Sequence, residues 1–176
     1  MKKMILCLLL LALCPLSVRA QAAQPVPDYL FAELEKMNPV PQGTWFVISK
    51  EHFTLFVMDG WDVVRTYDVA VGKNTGNKQK VGDMRTPEGM FEVQQIQDAS
   101  SWEHDFKDGK GMIQNAYGPW FIRLKTGWQG IGIHGTHDPS SIRTNATEGC
   151  IRLRNAEVDE LKKVYAKIGT KVLILK

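Results

Sequence analysis

The segment IGIHGTHDPSSIRTNATEGCIRLRN runs from Ile131 to Asn155 and sets two histidines and one cysteine among glycines. Its start continues a β-prone run, WQGIGIHGT, which reads as a strand ending at His134. Sixteen residues separate His134 from Cys150, enough for a loop to leave that strand and return beside it. A thiol attacks a carbonyl only as the thiolate and needs a base at hand, so His134 is the candidate base for Cys150. Gly149 lets backbone approach a ligand closely, and the amides of Gly149 and Cys150 are candidate oxyanion donors. His137 is the alternative base, but HDPSS is a polar turn that favours a solvated side chain. His52 and His104 fall in a strand and a long loop and read as surface residues. The plainer reading makes His134 a core histidine satisfied by backbone and Cys150 an inert apolar filler.

The first twenty residues weigh against that plainer reading. MKKMILCLLLLALCPLSVRA has a basic start, an apolar run broken by Pro15, and a small-residue end. It reads as a secretory signal peptide cleaved after Ala20, its core too short to span a membrane. Cleavage removes Cys7 and Cys14 and leaves Cys150 alone, unable to form an internal disulfide. An idle exposed thiol is a liability in an oxidising compartment, which favours a reactive one. Lys2, Lys3 and Arg19 leave as well, so 22 basic residues become 19 and match the 19 acidic ones. The pI of about 8.7 then gives no argument for nucleic-acid binding.

At 176 residues, with 44% apolar and 23% charged side chains, the chain is long enough for one domain with its own core. Residues 21–43 read as a leader in which Tyr29, Leu30 and Leu34 form a short helix ended by Pro39 and Pro41. The domain occupies 44–176. TWFVISK and HFTLFVMDG are β-branched and aromatic, and Asp59-Gly60 is a turn into WDVVRTYDVAVG. Phe91 and Val93 share one face of a further strand, GPWFIRLKT is another, and TKVLILK closes the chain. Residues 98–117 lack periodicity and read as a long loop. Asn155 is the expected N-cap of one clear helix over about 155–168, with Val158, Leu161, Tyr165 and Ile168 on its apolar face and Gly169 as its stop. The fold class is therefore mainly β. One cysteine and scattered histidines make no metal site, and nothing in the chain asks for a cofactor.

His134-Gly135-Thr136 followed by Thr147-Glu148-Gly149-Cys150-Ile151-Arg152 resembles the YkuD-type L,D-transpeptidase catalytic domain of bacterial cell-wall enzymes. That family's signature is His-Gly-Thr, a glycine-containing loop, then Ser/Thr-His-Gly-Cys with an arginine two residues on. YDVAVGKNTG, TPEGMF, GPWFIRL and TKVLIL also fit in order, so the resemblance covers Thr44 to Lys176. It implies a β-sandwich or barrel, Cys150 as nucleophile, His134 as base, and the Gly135 carbonyl as third member of the triad. It implies a peptidoglycan stem tetrapeptide as substrate, cut between a diamino acid and terminal D-alanine. The acyl group then passes to an amine, giving a 3→3 cross-link, or to water, giving L,D-carboxypeptidase activity. Inhibition by carbapenems, no integral membrane segment, and a periplasmic or wall-associated location go with it.

Gly149, Thr136, Arg152, Glu148 and Trp120 are the remaining candidate oxyanion or substrate-binding residues, with Arg152 either holding a substrate carboxylate or bracing the loop, and Glu148 either holding the loop in shape or altering the choice of donor or acceptor. Glu148 departs from the pattern, since the family usually places histidine there. A carboxylate beside the nucleophile raises a thiol's pKa unless it pairs with a cation, for which Arg143, Arg152 and Arg154 are the candidates. Sortases place their histidine much further upstream, and papain-like and NlpC/P60-type peptidases place cysteine before histidine. The reading from another class is a non-catalytic wall-binding module disabled by Glu148.

Overall fold

A computed structural model describes residues 25–37 and 39–176. The signal-peptide reading of residues 1–20 lies outside the described residues, as does the start of the leader. The described chain opens with helix α1 (Asp28–Glu35) and then the meander β1 (Thr44–Ser49), β2 (Thr54–Asp59) and β3 (Asp62–Asp68). A short β4 (Val71–Gly72) leads through a polar loop to the long β5 (Gly89–Asp98). Next come the small hairpin β6 (His104–Asp105) and β7 (Met112–Ile113), then β8 (Trp120–Leu124) and β9 (Gly132–His134). β10 (Asn145–Thr147) and β11 (Ile151–Arg152) flank Cys150. Helix α2 (Asn155–Glu160) and strand β12 (Lys171–Leu175) end the chain.

Eight of the described strands form one sheet in the order β11-β9-β8-β5-β12-β1-β2-β3. The sheet curls until its two edges meet. Just past β3, Ala70 and Arg152 of β11 exchange two backbone hydrogen bonds, each 2.9 Å. Curling gives the sheet an inside, and pairing the edges removes strand groups that would otherwise stay unsatisfied. Phe46, Ile48, Leu55, Val57, Val93, Ile133, Ile151 and Val172 fill that inside together with Val158 of α2 and Leu161 just after it.

β1 explains why α1 is needed. Side chains alternate along a strand, so Phe46 and Ile48 point inward while Trp45 and Val47 point out. All four are fully buried, because Leu30 and Leu34 of α1 cover the outer face. The Trp45 indole N–H donates to the Gly60 carbonyl at 2.8 Å, which satisfies the one polar atom that burial would strand. The leader is thus part of the packed structure.

Two expectations shift in detail. The C-terminal helix begins one residue earlier than a cap at Asn155 requires: Arg154 is the capping residue, and its backbone N–H donates to Glu157. The helix continues as a π turn over Leu161–Tyr165 and stops there, with Ala166 already extended. Ile168 is therefore exposed instead of facing the core. Residues 98–117 are not structureless either, since β6 and β7 pair within them.

Removing the α1 contact tests this packing. Leu34→Ala is expected to lower unfolding free energy in urea by about 2–5 kcal/mol. Glu35→Ala, on the exposed side of the same helix, changes it by less than about 0.5 kcal/mol.

Candidate active site

The parallel pairing of β9 with β11 builds the site. Ile133 lies opposite Ile151 and His134 opposite Arg152. Directly opposed residues share a face, so the isoleucines point into the barrel while His134 and Arg152 point out. Cys150 precedes Ile151 and shares the outward parity of Arg152. His134, Cys150, Arg152 and Glu148 line one cleft of about 920 Å³.

His134 is held on all sides. Its Nδ1 lies 2.6 Å from the Gly135 carbonyl, which makes Nδ1 the protonated nitrogen and leaves Nε2 as acceptor. Phe121, opposite it on β8, stacks on the ring at 5.6 Å, and Tyr117 meets it edge-on at 4.9 Å. Burial pushes the imidazole down to about 3, and nearby Arg152 pushes the same way. Gly135 must lack a side chain because a Cβ would run into the Asn155 amide. That amide oxygen accepts the Thr136 N–H at 2.7 Å and fixes the turn after the strand.

Cys150 sits at the end of a tight turn. The Thr147 hydroxyl donates to the Cys150 carbonyl at 2.6 Å and accepts the Gly149 N–H at 3.1 Å. Gly149 has φ +131°, and a Cβ there would lie 2.8 Å from the Arg85 carbonyl. The thiol points at the Gly130 carbonyl, 3.0 Å away. Burial pushes it up to about 11; the Gly132 backbone, Arg152 and Arg123 pull against that, and Glu148 adds to it. Burial thus favours the neutral form of both the thiol and the imidazole, which line the same cleft.

Glu148 pairs with none of the three arginines proposed for it. Arg143 is taken by Asp68, Arg154 by Glu157 and Asp68, and Arg152 Nη1 donates to the Ser141 hydroxyl. Its partner is His104, with 3.3 Å between Nε2 and Oε2. The β6–β7 hairpin carries His104 to the cleft, so it is not a plain surface residue. Arg152 is buried, and its Nε has no hydrogen-bond partner among the described residues.

Three other expectations change. Trp120 does not line the cleft: Phe121 takes the face toward His134, so Trp120 turns the other way. Its indole donates to Asp159 at 2.9 Å, and Lys162 sits over the ring. Thr136 is buried outside the cleft, its hydroxyl accepting the Asp138 N–H. The Gly149 N–H is committed to Thr147 rather than to the cleft. Tyr117, Asn155 and His104 are the site residues the sequence reading missed or misassigned; Asn155 carried a cap signal, while Tyr117 and His104 carried none beyond lying in the aperiodic segment.

Comparison with known proteins gives a consistent answer. The sequence model of the YkuD family, the L,D-transpeptidase catalytic domain, matches residues 43–174. The chain is 32% identical over 140 residues to YqjB of Bacillus subtilis, a provisionally named L,D-transpeptidase, covering 78% of this chain and 74% of that one. It is 32% identical to YkuD of Bacillus licheniformis, also provisionally named, over 72% of this chain but 62% of that protein. Among solved structures, the catalytic domain of the E. faecium L,D-transpeptidase superposes with a TM-score of 0.57 at 21% identity, covering 77% of this chain and 98% of that one. L,D-transpeptidase 3 of Mycobacterium tuberculosis, carrying a faropenem-derived adduct, gives 0.55 at 17%, over 76% and 60%. These structural likenesses speak for the curled β fold, and the sequence match speaks for kinship. The chain belongs to the YkuD family of L,D-transpeptidase catalytic domains.

Proposed function

We propose that this protein is a cysteine-dependent L,D-transpeptidase acting on the stem tetrapeptide of peptidoglycan, outside the inner membrane. The observation that carries this reading is the shared face of β9 and β11, which directs His134 and Cys150 into one cleft. With Nδ1 tied to Gly135, His134 Nε2 is the atom that receives a proton. As Sγ attacks the carbonyl between the diamino acid and D-alanine, its proton moves to Nε2. Nε2 then delivers that proton to the departing D-alanine nitrogen, leaving a thioester. The Gly149 amide is already engaged, so the oxyanion falls to the Cys150 amide. Arg152, buried with an unpartnered Nε, takes a substrate carboxylate. An amine then resolves the thioester; water in its place gives the L,D-carboxypeptidase outcome. Export rests on the basic and apolar N-terminal segment alone, Lys2 to Leu13. No described helix is long and apolar enough to cross a membrane.

Acylation by a carbapenem tests the nucleophile. Intact mass of the folded protein is expected to rise by one drug equivalent, and Cys150→Ala is expected to abolish the adduct. An adduct that survives the substitution places the nucleophile elsewhere. Incubation with tetrapeptide donors, read by mass, then separates transfer from hydrolysis; release of no D-alanine at all removes the substrate assignment.

The neutral pair has its own pH signature. A thiol pushed up to about 11 gains thiolate about tenfold per pH unit below that value. Alkylation by iodoacetamide is expected to climb steadily from pH 6 to 10. A plateau near neutrality would instead mean a preformed thiolate–imidazolium pair. His134, pushed down to about 3, stays a base throughout, so acylation shows no acid limb from His134 above about pH 4.

A further inference from the structure

The cleft holds a second imidazole that the acylation steps leave unused. His104 Nε2 lies 3.3 Å from Glu148 Oε2, and Glu148 stands two residues before the nucleophile. The His104 ring packs edge-on against Tyr117 with centroids 5.7 Å apart, and the His134 ring meets the same tyrosine at 4.9 Å. One tyrosine thus stands between two imidazoles that line a single cleft with Cys150. Their access to water differs. His134 is 2% exposed, whereas the His104 and Glu148 side chains are 31% and 43% exposed. The other charged groups lining the cleft have other partners or roles: Lys78 is held by Asp83, Arg123 by Gln97 and Glu103 by Gln114, and Arg152, braced by Ser141, is the proposed holder of a substrate carboxylate.

The proton count of transfer calls for such a group. An amine acceptor arrives near neutral pH as an ammonium ion, with no lone pair to attack. It must lose one proton before attack and a second as the amide forms. His134 can handle only one of these, because Sγ takes that proton back when the thioester breaks. The other must reach solvent, and His134 is sealed from it.

Resting on the transpeptidase reading, we propose that Glu148 and His104 form the acceptor-side base, Glu148 receiving the ammonium group of the incoming amine and His104 taking its first proton. His104 passes that proton to water. The neutral nitrogen attacks the thioester carbonyl, the C–N bond forms and the C–S bond breaks. The second proton travels from nitrogen through His134 Nε2 to Sγ. Ammonium and thioester become amide, thiol and one released proton. The histidine missing at position 148 is in this way supplied from the β6–β7 hairpin, with a carboxylate that attracts the cationic acceptor. Water as acceptor arrives uncharged and needs only His134.

Partitioning of the acyl-enzyme tests the assignment, because a product ratio is independent of how much protein is folded or how fast it acylates. The full-length protein would be given tetrapeptide donor at pH 7 with either D-methionine, an ammonium at that pH, or aminoacetonitrile, which is largely neutral. Glu148→Gln and His104→Gln are each expected to lower the transfer-to-hydrolysis ratio roughly tenfold or more with D-methionine. With aminoacetonitrile the ratio should change by less than about twofold, since its lone pair is already free. An unchanged ratio, or an equal fall for both acceptors, overturns the proposal. Hydrolysis alone in the wild type overturns it too, while leaving the acyl-enzyme reading intact. Absence of any acyl-enzyme removes that reading and this inference with it.

Discussion

Two parallel residue pairs between β9 and β11 carry the site. Ile133 and Ile151 hold the pairing from inside the barrel, where both are fully buried, and this fixes the register. A slip of one residue would turn every side chain to the other face. His134 would enter the apolar core, and Ile133 would face the cleft. Further contacts exist to keep that register. Ala70 bonds β11 from its free side, and Leu153 N–H donates to the His134 carbonyl at 2.8 Å. Gly132 leaves room for the Phe121 ring, which in turn stacks on His134. Fold closure and site geometry are therefore one constraint, since Arg152 both seals the barrel through its backbone and places its guanidinium in the cleft.

The same burial sets the electrostatics. Removing water penalises the charged form of both partners, so the imidazole moves down and the thiol moves up. In the proposed mechanism, charge separation between them is then deferred until an attacked carbonyl places its oxyanion at the Cys150 amide. Arg152 serves both stages: it disfavours a resting imidazolium, and it favours negative charge at Sγ. A resting thiol is also less open to oxidation than a thiolate, which suits a chain whose one cysteine among the described residues is not disulfide-bonded.

Much of this is legible in the sequence, for identifiable reasons. The β strands announce themselves by alternation and β-branched residues, and His134, Gly135 and Cys150 sit in a short motif whose spacing survives in the fold. What escapes depends on distances the chain does not write down. Trp120 and Phe121 are neighbours in sequence, and only the β8–β9 register decides which one meets His134. His104 belongs to an aperiodic segment, and its place depends on a hairpin of two residue pairs. Asn155 shows an N-cap signal, yet its side chain clamps Thr136 instead, leaving Arg154 and Glu157 to begin the helix. The helix end is misread because Ile168 keeps helical spacing after a π turn has already closed the helix at Tyr165.

Glu148 shows why a departure from a family pattern has to be read in three dimensions. Along the chain it places a negative charge beside a nucleophile, and the obvious cations are the nearby arginines. In the fold each of those arginines is engaged elsewhere. Arg143 and Arg154 tie the loop to Asp68 on β3, and Arg152 is braced by Ser141. The charge is met across the cleft by His104, which the β6–β7 hairpin carries over the site with Phe106 packed near Arg152 and His137. The glutamate at position 148 is thus met by a histidine from another element, and the contact ties the hairpin to the turn that carries Cys150. The cleft keeps two imidazoles, but one now reaches water and stands beside a carboxylate. In the proposed mechanism the departure relocates proton-handling capacity without removing it, a reading that favours a changed acceptor chemistry over a disabled enzyme.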